Sequence, residues 1–115
     1  MNIECWHALL TRFGIPPESE TFSMLKAAYS EKHRAYHTTR HIDECLGLAD
    51  EFGPLARQPE EVKLALWFHD AIYEPMSSSN EERSAEWAAR FMREAGLPRE
   101  SIDRVRSHIQ ATRHV

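Results

Sequence analysis

Apolar residues recur at intervals of three and four along most of this chain, and prolines, glycines and serines separate these stretches. Such spacing collects apolar side chains on one face of an α-helix. Six helices are predicted: around residues 6–13, around 22–29, from about 39 to 52, from near 59, from 79 to 96, and from 98 onwards. Gly14 and Gly96 are expected to end two of them, and Ser79 with Glu82 has the spacing of a capping box. Alternating β-branched residues are absent, so the pattern predicts an all-α protein.

The chain length and the charge narrow the class of protein. A chain of 115 residues is long enough for one domain with a core, so we expect a single compact bundle of five or six helices over residues 1–115. The formal net charge is only −4, which argues against nucleic acid or a membrane as the main partner. We find no signal-peptide pattern, no membrane span and no CxxC spacing of the two cysteines. These features predict a cytoplasmic protein.

A histidine and an aspartate interrupt the apolar stretch LALWFHDAIYEP, residues 64–75. On a helix, His69 falls on the apolar face, with Asp70 beside it. The apolar stripe of the third helix leads back to His41 and, one turn earlier, to His37. A buried carboxylate is normally paired or bound to a metal. One interpretation is that backbone carbonyls or buried water satisfy each histidine, and the other is that His41, His69 and Asp70 bind one divalent metal ion.

Four sequence blocks strengthen the metal hypothesis. The segments YHTTRHIDECL, WFHDAIYEP, NEERSAEWA and IQATRHV occur in this order, and together they resemble metal-dependent phosphohydrolases of the HD superfamily. The resemblance implies an HD-domain-like helical bundle and assigns the metal to His41, His69 and Asp70. The first block is also similar to the Tyr-His-Asn-x-x-His pattern of cyclic-nucleotide phosphodiesterases. That similarity implies that His37 donates a proton to the leaving group.

One ligand of the family pattern has no counterpart here. The resemblance implies a last aspartate on a further helix, whereas the aspartate of the last predicted helix, Asp103, lies ahead of the required position. We therefore expect the site to be incomplete, because the chain lacks the C-terminal part of the family pattern. Weak or no turnover by the 115 residues alone is the corresponding expectation.

Five further residues are candidates for the site. Glu74 follows Asp70 by one helical turn and is a candidate catalytic base, although a solvated helix end explains it equally well. Asn80 and Glu81 match the third family block and are candidate substrate contacts, or else they cap a helix. Arg34 and Arg40 flank His37 at spacings of three and suit an anionic substrate, or else they belong to a solvated basic connector.

Together these features predict a metal-dependent phosphohydrolase that acts on a phosphate ester, such as a nucleotide. Its partner would be a small phosphorylated molecule, and a homo-oligomer is compatible with the sequence. The ligand set does not distinguish Mn, Mg, Fe, Ni and Zn. One alternative is a non-catalytic HD-fold module that binds a nucleotide or a protein. Another is a helical interaction domain whose buried histidine and aspartate satisfy each other.

Overall fold

The computed structural model describes residues 1–31, 39–52, 58–74 and 77–111, and within them the backbone forms six α-helices. These are α1 Ile3–Arg12, α2 Glu20–Tyr29, α3 Thr39–Phe52, α4 Pro59–Phe68, α5 Asn80–Glu94 and α6 Arg99–Gln110. The described residues contain no β-strand, so the predicted all-α class is confirmed. In the same part of the chain, every helix is too short or too polar to cross a membrane.

Local signals set several of the helix ends. Asn2 caps α1, because its side-chain oxygen accepts from the backbone N–H of Glu4 at 2.7 Å. Gly14 and Gly96 adopt positive φ angles of 72° and 78°, which suit glycine at a helix C-terminus. The predicted ends at these two glycines are thus confirmed.

The predicted capping box at the start of α5 is wrong. Ser79 is the N-cap residue, but its side chain makes no hydrogen bond to the helix backbone. Its hydroxyl lies instead 3.0 Å from the Ser77 hydroxyl, and the Ser77 hydroxyl accepts from the backbone N–H of Ser79 at 3.1 Å. The serine is therefore used within the preceding loop rather than as a cap.

Helix α4 lies at the centre of the fold and packs against α1, α3, α5 and α6. Its apolar residues Leu64, Trp67 and Phe68 are buried. Trp67 and Trp6 of α1 meet edge to face, with ring centroids 5.2 Å apart. This position is what brings the C-terminal end of α4 close to residues of α2, α3 and α5.

A buried carboxylate ties α4 to α6. Both oxygens of Glu61 accept from the Arg104 guanidinium, at 2.7 and 2.8 Å, and the Ser101 hydroxyl donates to one of them at 2.7 Å. Burial alone would raise the pKa of Glu61, but these hydrogen bonds and the charges of Arg104 and His108 outweigh it and lower the pKa. Glu61 is therefore a charged group that the fold satisfies completely.

Candidate metal centre

The His-Asp pair lies in the turn that follows α4, not within a helix. Helix α4 ends at Phe68, whereas the sequence pattern predicted that the helix continues through residues 69–73. In a continued helix the Leu66 carbonyl would accept from the backbone N–H of Asp70. Here that carbonyl lies 2.6 Å from Nδ1 of His69, and the N–H of Asp70 donates to the hydroxyl of Tyr29 at 3.2 Å. These contacts replace the next helical bond and so turn the chain.

The Leu66 contact fixes which nitrogen of His69 faces the site. A carbonyl oxygen only accepts hydrogen bonds, so Nδ1 of His69 carries a proton and donates it to Leu66. The other nitrogen, Nε2, lies 3.1 Å from Oδ2 of Asp70. A backbone carbonyl that holds one histidine nitrogen while the other faces a cation is the usual arrangement of a metal-binding histidine.

The structure brings His41 to the same place. Its Nε2 lies 3.8 Å from Oδ2 of Asp70, and the ring centroids of His41 and His69 are 5.8 Å apart. His69 is buried and Asp70 largely so, whereas 40% of the His41 side chain is exposed. His41, His69 and Asp70, which the sequence predicted as metal ligands, therefore lie close together. The cluster is exposed to solvent at His41.

Cys45 is a fourth donor at this point, although the apolar spacing of α3 places it among the apolar residues of that helix. It lies one helical turn after His41, and its Sγ is 3.7 Å from Nε2 of His41. The donor atoms of His41, Cys45 and His69 all lie within 4.8 Å of one another, and this group could hold a metal ion. The signal for it was present in the sequence, because residues four apart on a helix are neighbours.

The charges around the cluster favour a cation. Burial lowers the pKa of His69, but the hydrogen bond to Asp70, the charge of Asp70 and the Leu66 carbonyl outweigh burial and raise that pKa. Burial raises the pKa of the Cys45 thiol, and the negative charges of Asp70 and Glu44 raise it further. Nε2 of His69 and Oδ2 of Asp70 each offer a lone pair to the space between them. Either a second proton on His69 or a metal ion satisfies that contact, so the donor set is able to hold a divalent cation as well as a proton.

Two neighbouring helices hold the turn in place. The buried hydroxyl of Tyr29, at the end of α2, donates to the Trp67 carbonyl at 2.9 Å while it accepts from Asp70. On the other side, the hydroxyl of Ser84 in α5 accepts from the backbone N–H of Ile72 at 3.0 Å. The backbone that carries the His-Asp pair is thus fixed by side chains of α2 and α5.

Glu74 and Asn80, two of the remaining candidates, contact residues other than these four donors. The carboxylate of Glu74 is exposed and pairs with Arg83 at 3.1 Å. The side chain of Asn80 accepts from the backbone N–H of Glu74 and donates to its carbonyl, at 3.0 and 2.9 Å. In this structure Asn80 therefore links the loop to the start of α5, where Glu81 is half-buried in the first turn.

Two further residues considered from the sequence, Arg40 and Asp103, are exposed on their helices. The side chain of Arg40 is 89% exposed, and its Nε lies 3.4 Å from Oε1 of Glu44, one turn later on α3. His37 and Arg34 fall outside the described residues, so their roles stay predictions. Asp103 is exposed on α6, within 3.9 Å of nitrogens of Arg99 and Arg106.

Comparison with known proteins does not identify a function for this site. No family model, no curated protein and no solved structure matches the chain. The function is therefore inferred from the residues of the cluster and from the sequence blocks around them.

Proposed function

We propose that this chain is a metal-dependent phosphohydrolase that cleaves a phosphate ester, with His41, His69 and Asp70 as ligands of a divalent cation. The observation that carries the proposal is the arrangement of His69. Its Nδ1–H is held by the Leu66 carbonyl, which aims Nε2 at a carboxylate oxygen 3.1 Å away and toward His41. Such an arrangement is costly to bury unless a proton or a cation lies between the two donor atoms, and the nearby His41 favours the cation.

When bound, a divalent cation supplies Lewis acidity that activates water and neutralises charge on a phosphoryl group. The half-exposed edge at His41 leaves access for a small substrate. Arg40, next to His41 and exposed, is suited to bind a phosphate oxygen with its guanidinium. By resemblance to the phosphodiesterase pattern, His37 is the group that donates a proton to the leaving oxygen.

A specific observation favours one competing proposal. The pKa of His69 is raised, because the hydrogen bond to Asp70 and the charge of Asp70 outweigh burial, and this favours a proton on Nε2 facing Asp70 when no cation is bound. In that case the chain is a helical binding module whose histidine and aspartate satisfy each other. Metal content separates the two proposals, because an ion pair needs no metal.

The test combines metal analysis with a substrate panel. The purified chain is dialysed against Mn²⁺, Zn²⁺ or Mg²⁺, its bound metal is measured, and hydrolysis of nucleotides and of an aryl phosphate is assayed. His69→Ala removes a ligand, and His7→Ala on α1 is the matched control, since His7 contacts a Glu18 carbonyl instead. Metal-dependent hydrolysis, however slow, that survives in His7→Ala and disappears in His69→Ala supports the proposal. Failure to bind any of the three metals at one per chain overturns it.

A further inference from the structure

Cys45 lies among side chains that could hold a metal ion. His41 and Cys45 are four residues apart on α3, so both side chains leave the same face of the helix. The chain has two cysteines, and the other one, Cys5, is exposed on α1. Cys45 instead is half-buried, with its sulfur directed at the imidazole of His41.

The distances agree with a shared cation. Nitrogen and sulfur donors at ordinary Zn²⁺ bond lengths, in a tetrahedral arrangement, lie about 3.6 Å apart, and Sγ of Cys45 lies 3.7 Å from Nε2 of His41. Nitrogen and oxygen donors on such an ion lie about 3.4 Å apart. The observed separations from Oδ2 of Asp70 are 3.1 Å for His69 and 3.8 Å for His41. These three separations are thus within about 0.4 Å of the tetrahedral values, and the donor atoms of His41, Cys45 and His69 all lie within 4.8 Å of one another.

We propose that Cys45 is the fourth protein ligand of this site, and that the site selects a thiophilic divalent cation such as Zn²⁺ over Mg²⁺ or Ca²⁺. The proposal rests on the proposed function only in that both place a cation between His41 and His69. Thiolate and imidazole ligands suit Zn²⁺ and its neighbours, whereas Mg²⁺ and Ca²⁺ prefer oxygen ligands and retained water. In binding, the S–H bond of Cys45 breaks, its proton passes to solvent, and a sulfur–metal bond forms. No oxidation or reduction takes place.

Cobalt(II) is the probe, because it replaces Zn²⁺ and gives a near-ultraviolet sulfur-to-cobalt charge-transfer band only when a thiolate is a ligand. Co²⁺ is titrated into the metal-free chain and into two variants, Cys5→Ser and Cys45→Ser. In Cys5→Ser the remaining cysteine is Cys45, so a thiolate band there identifies the ligand without any need to mutate the site. We expect the band in the wild type and in Cys5→Ser, its loss in Cys45→Ser, and at least about tenfold weaker Co²⁺ binding by Cys45→Ser. Circular dichroism of each variant checks that it is folded.

Competition completes the test. Zn²⁺ should displace Co²⁺ and abolish the band, whereas a large excess of Mg²⁺ should leave it unchanged. Displacement by Mg²⁺ would overturn the selectivity, and Co²⁺ binding to Cys5→Ser without a thiolate band would overturn the role of Cys45. Neither result affects the proposed phosphohydrolase. Conversely, a thiolate band in a chain that hydrolyses no phosphate ester supports the proposed ligand while the proposed function fails.

Discussion

Tyr29 offers the sharpest test of how the fold supports the site. Its hydroxyl is buried and bridges two backbone groups at the end of α4, the Trp67 carbonyl and the N–H of Asp70. The substitution Tyr29→Phe removes the hydroxyl and keeps the ring that packs in the core. It therefore perturbs the turn that carries His69 and Asp70 without opening a large cavity.

The expected cost follows from these contacts. Removing one partner of a buried hydrogen bond costs about 1–3 kcal/mol. Because the two bonds share a single hydroxyl, we expect Tyr29→Phe to decrease the free energy of unfolding by an amount in that range. The unfolding entropy of a 115-residue domain is about 0.24 kcal/mol/K. The predicted decrease in Tm is then roughly 4–12 °C.

The assay is thermal unfolding of metal-free protein, followed by a Zn²⁺ titration of the same samples. Ser30→Ala is the matched control, because it removes a hydroxyl that donates to the Lys26 carbonyl on the exposed end of the same helix. Its effect should stay within about 0.5 kcal/mol, as for most surface substitutions. Since Tyr29 orients the Asp70 backbone, we also expect about 10–100-fold weaker Zn²⁺ binding in Tyr29→Phe.

Two results would refute this reasoning. If Tyr29→Phe melts at the same temperature as Ser30→Ala, the hydroxyl does not hold the turn. If Tyr29→Phe is destabilised but binds Zn²⁺ as tightly as the wild type, the hydroxyl stabilises the fold without positioning the ligands. A general loss of structure would appear in the far-ultraviolet circular dichroism spectrum, so it can be distinguished from both of these results.

Two other predictions concern stability. Because the folded state lowers the pKa of Glu61, its ion pair with Arg104 stabilises the fold at neutral pH, and this contribution disappears as acid protonates the carboxylate below about pH 4. Arg104→Gln should therefore lower the free energy of unfolding most at pH 7, and urea unfolding curves of the variant and the wild type should converge at low pH. A difference in the free energy of unfolding that does not depend on pH would contradict this. A bound cation at 100 times its Kd stabilises the folded state by about 2.7 kcal/mol, so a chelator should lower the Tm of the metal-loaded wild type by roughly 11 °C. The same chelator should barely change the Tm of His41→Ala, and equal shifts in the two proteins would argue against a metal at His41.

Much of the fold follows from local patterns. The apolar periodicity predicted all six helices, and the range predicted for the third helix coincides with α3, Thr39–Phe52. Gly14 and Gly96 mark helix ends because a positive φ angle costs glycine little. These features depend on neighbours within a few residues, so a single sequence is sufficient to identify them.

The end of α4 could not be identified in this way. Residues 69–72 include no glycine or proline. The apolar spacing continues through them, as it would in a longer helix. The helix ends because two distant hydroxyl groups accept from the backbone N–H groups that would continue it. The Tyr29 hydroxyl accepts from Asp70, 41 residues away in the sequence, and the Ser84 hydroxyl accepts from Ile72, 12 residues away. Such a long-range competition for backbone groups leaves no local signal.

The turn also changes what the cluster is able to bind. On a continuous helix, His69 and Asp70 would point about 100° apart, and a metal between them would need a diagonal position off one edge. In the observed turn, Nε2 of His69 and Oδ2 of Asp70 approach to 3.1 Å, while α3 brings His41 and Cys45 to the same cluster. The site is thus a pair of donors on a helix facing a pair of donors on a turn. A cation held between them would join α3 to the end of α4, so binding and the packing of α3 against α4 are expected to stabilise each other.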